Sequence, residues 1–246
     1  MATRPSIADQ IEFYDRWNKE HRGDGYENIH DEIKARADAI LEAIEERSLA
    51  TDEILEVGCG TGWFTEKLSR LGSVTAIDLS PQAIEIAERR GTGAQFEACD
   101  IFQYDFGDKR FDLIVCMETL FYVEDADRLV EKMEQLCRDG GHLALSTINK
   151  FVYERRRDIG APDKGQIRNW MSRRETRDLI RAYFDVISES TIDPRGHLGI
   201  LRLVNSRKLN RLLERLVDSG TLRKAKERLG LGGGVVIIAR KKKPSL

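Results

Sequence analysis

The chain has 246 residues, 41% of them apolar and 33% charged, with a formal net charge of −2. That length and apolar share support one α/β domain with elaborations, or two small domains, and exclude a largely disordered chain. The longest apolar runs, "FDLIVCM" and "GGVVIIA", are far too short to span a bilayer. The first residues do not present the ordered segments of a secretory leader, so none is expected.

The near-zero charge hides an asymmetry. From Thr147 to Leu246 there are 24 Lys and Arg against 11 Asp and Glu, which leaves 16 against 31 in the rest. The two parts should attract each other, and the basic part could meet an anionic substrate, nucleic acid or a membrane surface. Solvated helix faces are the weightier reading. Four cysteines, Cys59, Cys99, Cys116 and Cys137, form no CxxC pair and sit in or beside apolar stretches. Buried thiols in a reducing cytoplasm are expected, and without clustered Cys or His no metal site is.

In chain order, Ile7, Ile11, Phe13, Tyr14 and Trp17 recur at helical spacing until two glycines in "HRGDGYENIH" break the pattern. A second helix is predicted over Asp31 to Arg47, with Ile33, Ala37, Ile40, Leu41 and Ile44 on one face. Strands and helices then alternate. Strand "EILEV" leads to helix "WFTEKLSRLG", and strand "VTAID" to helix "PQAIEIAERRG", with Pro81 at its start and Gly91 at its end. Strands "AQFEACD" and "FDLIVCM" precede helix "ADRLVEKMEQLCRDGG" and strand "HLALST". Such alternation predicts a parallel sheet with helices on both faces. After Thr147 it stops. "INKFVYERRRDIGAPDKGQIRNW" reads as a structured loop with a short helix. "SRRETRDLIRAYFDV" reads as a helix with Ser172 as N-cap and Glu175 at the capping-box position. Strand "VISESTI" follows, then a basic amphipathic helical stretch over 204–229 lined by Leu209, Leu212, Leu213, Leu216, Leu222 and Leu229. Strand "GGGVVIIARK" is last.

Gly58, Gly60 and Gly62 fall between the first strand of the alternation and its helix. A glycine turn there lets a ligand lie against the backbone at a helix N-terminus. Dinucleotide loops space their glycines GxGxxG; here the spacing is GxGxG, with Trp63 directly after it. Glu56 adds an acid at the strand end, which suits an amino-bearing ligand better than a pyrophosphate. Asp78, ending "VTAID", could accept two hydrogen bonds from a ribose diol. Asp100, ending "ACD", could accept from an adenine amino group. One such acid is often only a helix cap; three on successive strands point to a nucleoside.

"LEVGCGTG", "AIDLS", "EACDI" and "FDLIVCMETLFYV" resemble the four successive motifs of class I S-adenosylmethionine-dependent methyltransferases, over roughly Thr51 to Asn149. The resemblance implies a Rossmann-like α/β fold with a seven-stranded sheet, its last strand antiparallel and inserted between strands five and six. It also implies N-terminal helices and a helical insertion between the last two strands. Residues 1–48 would form a helical cap and 49–148 the cofactor-binding core. Residues 149–246 would supply the remaining strands and substrate-cap helices, all in one domain. The cofactor is expected to be S-adenosyl-L-methionine. By resemblance, Glu56, Gly58, Gly60 and Gly62 line its methionine end. Asp78 and Leu79 hold the ribose, Asp100 and Ile101 the adenine, and Met117 approaches the amino group.

Acceptor groups should lie at the exits of strands four and five. "METLFYVED" has Phe121-Tyr122 where many relatives have Glu-His, so no histidine base carries over. Glu118 and Tyr122 are the candidates there. "STIN" resembles the same point in ubiquinone-pathway O-methyltransferases, which slightly favours O- over N-methylation of a small molecule. Asn149 and Tyr153 could face the substrate, and Arg155, Arg156 and Arg157 an anionic group on it. His197 is a candidate base beside the basic helices. His142 reads as structural, and His21 and His30 lie in the N-terminal segment. Tyr14, Trp17 and Tyr26 are placed over the cofactor, Trp17 also toward the substrate, with plain helix packing of equal weight. "METLF" lacks the prolines of base-amine methyltransferases, so nucleic acid is not expected, though a peptide or RNA acceptor stays open. A membrane surface fits the basic helices less well than a lid on their own domain. The rivals are a non-catalytic S-adenosylmethionine-binding protein and, further off, a NAD-dependent oxidoreductase. Acceptor and oligomeric state are left open.

Overall fold

The computed structural model describes residues 5–21, 29–215 and 217–243. Tyr26, Leu216 and the His21 side chain lie outside these. Helices α1 (Ile7–His21) and α2 (Asp31–Glu46) precede the alternating region. That region runs β1 (Glu53–Val57), α3 (Thr65–Leu68), β2 (Ser73–Asp78), α4 (Pro81–Glu88), β3 (Gln95–Ala98), β4 (Phe111–Met117), α5 (Ala126–Leu136) and β5 (Cys137–Ile148). Then come α6 (Lys150–Tyr153), α7 (Arg173–Tyr183), β6 (Phe184–Pro194), α8 (Gly199–Val204), α9 (Arg207–Leu213), α10 (Ser219–Arg228) and β7 (Gly232–Lys241). Seven strands make one sheet in the order β3-β2-β1-β4-β5-β7-β6. The first five are parallel, and β7 runs antiparallel to both β5 and β6. This is the Rossmann-like arrangement the resemblance implied.

Successive strand side chains point to opposite faces, so an unbroken apolar strand must be covered on both sides. In β4, Leu113 and Val115 enter the core under α2, α3 and α4, while Ile114 and Cys116 enter the one under α5 and α7. β7 divides in the same way, Val236 and Ile238 on the first face and Val235 and Ile237 on the second. The sheet thus positions all its parallel strand ends on one edge, where ligands of open α/β folds bind.

Local details differ from the sequence reading. The helix after the glycine loop is one turn, Thr65–Leu68. α5 stops at Leu136, because Cys137 pairs with Phe111 and a register shift between Phe111 and Leu113 takes up the extra residues before His142. The basic stretch is three short helices, broken at Asn205 and Ser206 and again after Leu213. Its Leu209, Leu212 and Leu229 face solvent instead of forming an apolar seam.

The capping box at α7 is present. The Ser172 hydroxyl accepts from the Glu175 amide at 3.2 Å, and the Glu175 carboxylate accepts from the Ser172 amide at 2.7 Å. Ser172→Ala is expected to cost ~1 kcal/mol of stability, read by denaturant unfolding, with cofactor affinity unchanged.

Candidate functional site

A cleft of about 410 Å³ opens at the carboxyl ends of β1, β2 and β4, roofed by α1 and α2. Of the sequence-derived candidates, Tyr14, Trp17, Glu56, Gly58, Gly60, Asp78, Leu79, Met117, Glu118, Tyr122 and Tyr153 line it. Gly62, Asp100, Ile101, Asn149 and His197 do not.

The three loop glycines all have positive φ but serve different ends. A Cβ on Gly58 would lie 2.1 Å from Thr119 Oγ1, and one on Gly62 would lie 2.8 Å from Cβ of Ala87 in α4. Both are held to glycine by the protein's own packing. Only Gly60, of the three, opens onto free space, with nothing within 4 Å. Of the three, Gly60 is therefore the one whose backbone is open to close approach from the cleft.

Two acids meet beside it. Glu56 is buried, and burial pushes its carboxyl up to about 8. The Thr65 hydroxyl, donating at 2.5 Å, partly offsets this, and the Asp78 charge adds to it. Asp78 is also raised by burial, against the pull of two backbone amides that donate to it, Ser80 at 2.9 Å and Gly60 at 2.8 Å. No cation among the described residues pairs with either. Above them the Tyr14 hydroxyl is buried without a partner, and burial raises it too. Two acids and an orphaned hydroxyl form a cradle that lacks a donor-rich, positively charged group.

α1 is locked over this cradle. Asp15 accepts from the Ser80 hydroxyl at 2.5 Å, and the Asn18 amide donates to the same hydroxyl at 3.4 Å. Tyr14 meets Tyr122 edge-on at 5.6 Å.

The far wall is built around Arg36 of α2, which is fully buried. Its guanidinium pairs with Glu118 and donates to the Tyr153 hydroxyl at 3.1 Å. Burial opposes its charge, but Glu118, Tyr153 and Glu32 outweigh that and hold it above the usual range. Ser146 donates to the other Glu118 oxygen at 2.8 Å. Glu118 itself sits at φ +57, a strained conformation for a non-glycine residue, imposed where β4 leaves the sheet. Arg156 extends the chain of contacts, donating to Glu32 at 2.9 Å and pairing with Asp158. Gly234 in β7 has no side chain because the Arg36 stem lies there: a Cβ would stand 2.2 Å from Arg36 Nε.

Arg36, Thr119, Trp170, Asp15 and Asn18 escaped the sequence reading. For Arg36 a signal existed. It falls three residues after Ile33 and four before Ile40, inside the apolar stripe of its helix, where a charge must have a buried partner.

Other candidates are placed elsewhere. Asp100 accepts from the Phe102 amide and the Gln103 side chain, each at 2.9 Å, so it caps a turn. The Ile101 side chain belongs to the core under α5. The buried Asn149 amide donates to the carbonyls of Gly230 and Gly232, pinning the α10–β7 junction instead of facing a substrate. His197 lies beside Arg157 and Asp158 in a separate shallow basin, whereas His30 lines the main cleft. Of the arginine triple, Arg156 is ion-paired and Arg155 stacks over Phe151 at 4.2 Å. Among the described residues no group of three His, Cys, Asp or Glu could share a metal ion.

Residues 55–145 match the family model described as a methyltransferase domain. The ubiquinone biosynthesis O-methyltransferase of Coxiella burnetii (strain Dugway 5J108-111) is 35% identical over 116 residues, 45% of this chain and 50% of that protein. The chain thus matches about half the length of these curated relatives. Among solved structures, the N-methyltransferase NodS of Bradyrhizobium japonicum WM9, in complex with S-adenosylhomocysteine, superposes with a TM-score of 0.66 at 19% identity, covering 96% of this chain and 100% of that one. The 1,6-didemethyltoxoflavin-N1-methyltransferase of Burkholderia thailandensis, with its namesake and S-adenosylhomocysteine bound, gives 0.63 at 20% identity, covering 99% and 92%. At such identities the likeness is one of fold.

Proposed function

We propose that this chain, whose residues 55–145 are a methyltransferase domain folded as in the class I S-adenosylmethionine-dependent methyltransferases, transfers a methyl group from S-adenosyl-L-methionine to a small-molecule acceptor. The observation that carries the reading is the buried, uncompensated acid pair Glu56 and Asp78 beside the open backbone at Gly60. An ammonium and a ribose diol answer those two acids; a pyrophosphate would be repelled by them.

Bound there, the cofactor supplies an electrophilic methyl on a sulfonium that departs as a neutral thioether. Gly60 would let the ligand reach the backbone, Glu56 and the Tyr14 hydroxyl would hold its amino-acid end, and Asp78 would hold the ribose. α1, fastened by Asp15 and Asn18, keeps water out. Tyr122, Tyr153 and Trp170 wall the acceptor side with aromatic faces and edges. The Tyr153 hydroxyl accepts from Arg36, and burial keeps its own proton in place, so it can donate to an acceptor oxygen. That geometry, with the name of the Coxiella relative, favours O-methylation. Both Glu118 oxygens are already engaged, so we assign it the role of positioning Arg36 and assign the acceptor proton to His30, which lines the same cleft. His197→Ala should leave kcat/KM unchanged, while His30→Ala should lower it, read in a steady-state assay. Free cysteines and the absence, among the described residues, of a helix able to cross a membrane fit a cytoplasmic enzyme.

Glu56 gives a pH test. Its folded value near 8 lies above the ordinary carboxylate value, so the unliganded protein holds a proton the unfolded chain has lost. Its contribution to stability is full below about pH 4.5 and is lost as pH rises through about 8. A cationic amino group arriving at pH 7 should expel that proton. Calorimetry of cofactor binding in buffers of different ionisation enthalpy should show proton release, absent in Glu56→Gln; no release in the wild type would contradict the placement. Transfer itself is tested with methyl-labelled cofactor and a panel of phenols, amines and carboxylates; label in none of them would leave a binding protein only.

A further inference from the structure

Charge and apolar exposure coincide after β6. Residues 199–229 hold nine Lys and Arg against three Asp and Glu. Among the described residues, their ion pairing is confined to Arg223 with Glu227. α8 and α9 meet at a corner formed by Asn205 and Ser206, and that corner walls a shallow basin with Arg157, His197 and Arg202. Asp158 also lines it, its carboxylate held by Arg156 and 3.7 Å from His197 Nδ1, so one acid shares the basin with these groups. The Asn205 side-chain amide nitrogen is buried and has no acceptor in the protein. The basin therefore gathers donors and cations around a buried donor with nothing to bind.

The helices on either side of that corner carry apolar side chains into solvent. Ile200 and Leu203 of α8 are 59% and 66% exposed, and Leu209 and Leu212 of α9 are 39% and 57% exposed. Each pair is three residues apart, so each lies on one helical face. A lid packed on its own domain would bury these faces. A second copy of the same surface would bring like charges together. A surface that is both anionic and apolar satisfies every group at once.

We propose that α8 and α9 form a docking face for an anionic membrane surface. The four aliphatic side chains enter the lipid interface, and the basin at Asn205 takes a lipid phosphate. The helices have six and seven residues, so the attachment is peripheral. It stands apart from methyl transfer and would hold for an inactive protein.

The test is co-sedimentation of the full chain with phosphatidylcholine vesicles, with and without phosphatidylglycerol. Partition should be at least about tenfold greater on the anionic vesicles and should fall as salt shortens the screening length. Leu203→Glu/Leu212→Glu and Arg202→Glu/Lys208→Glu should each reduce it at least about tenfold, with melting temperature and S-adenosylhomocysteine affinity unchanged. Equal partition on neutral and anionic vesicles, no partition on either, or binding that survives both double substitutions would overturn the proposal. So would inorganic phosphate raising the melting temperature without vesicle binding, which would mark a free-anion site. A concentration-dependent dimer dissolved by Leu203→Glu/Leu212→Glu would make the face an interface between copies and would equally overturn it.

Discussion

Asp78→Asn is expected to weaken cofactor binding about 100-fold while the protein stays folded. A ribose diol gives a carboxylate two charge-assisted hydrogen bonds, each worth ~1.5–3 kcal/mol. Asparagine keeps one acceptor oxygen, loses the charge and turns an N–H toward one of the partners. The same carboxylate accepts from the Gly60 and Ser80 amides, so the loop must be watched separately. Removing a charge that burial already disfavours should hold the change in melting temperature to a few degrees. Calorimetric affinity and a thermal melt on the same sample separate the two effects. Normal affinity in the variant would sink the ribose assignment.

Arg36→Met should produce the largest loss of stability, ~3–5 kcal/mol, because it removes a fully buried charge and leaves the largely buried Glu118 carboxylate without its cation. It also frees the Tyr153 hydroxyl and breaks the tie from α2 to Glu118 at the end of β4, so the acceptor KM should rise with it. Arg36→Met/Glu118→Gln removes both charges and should recover much of the loss, a coupling readable in a double-mutant cycle by urea unfolding. Additive losses would mean that the pair is incidental to the fold of the cleft.

The parallel core was legible because β1, β2 and β4 are mainly apolar runs that meet a glycine or an acid at their carboxyl ends, and both signals are local. Glu56, Asp78 and the glycine loop could be read for the same reason. The Asn149 and His197 assignments depended on which loop folds over which edge. That is set by β7 pairing with β5 and by the carbonyls of Gly230 and Gly232, more than 80 residues away from Asn149. The glycine loop was read too simply: Gly58 and Gly62 answer to Thr119 and Ala87, contacts no spacing rule encodes. The basic stretch kept a helical rhythm through its breaks, so periodicity alone could not show that its leucines would face outward. Arg36 was visible as a charge within an apolar stripe, but its partner Glu118 lies 82 residues on.

The most direct test of the central claim is calorimetric titration of the purified chain with S-adenosylmethionine and S-adenosylhomocysteine, with NADH as control. Micromolar binding of the sulfonium compound and its product, with none of NADH, is the expected result. Binding of NADH alone would mean that the acid pair faces a pyrophosphate ligand after all, and the methyl-transfer assignment would fall.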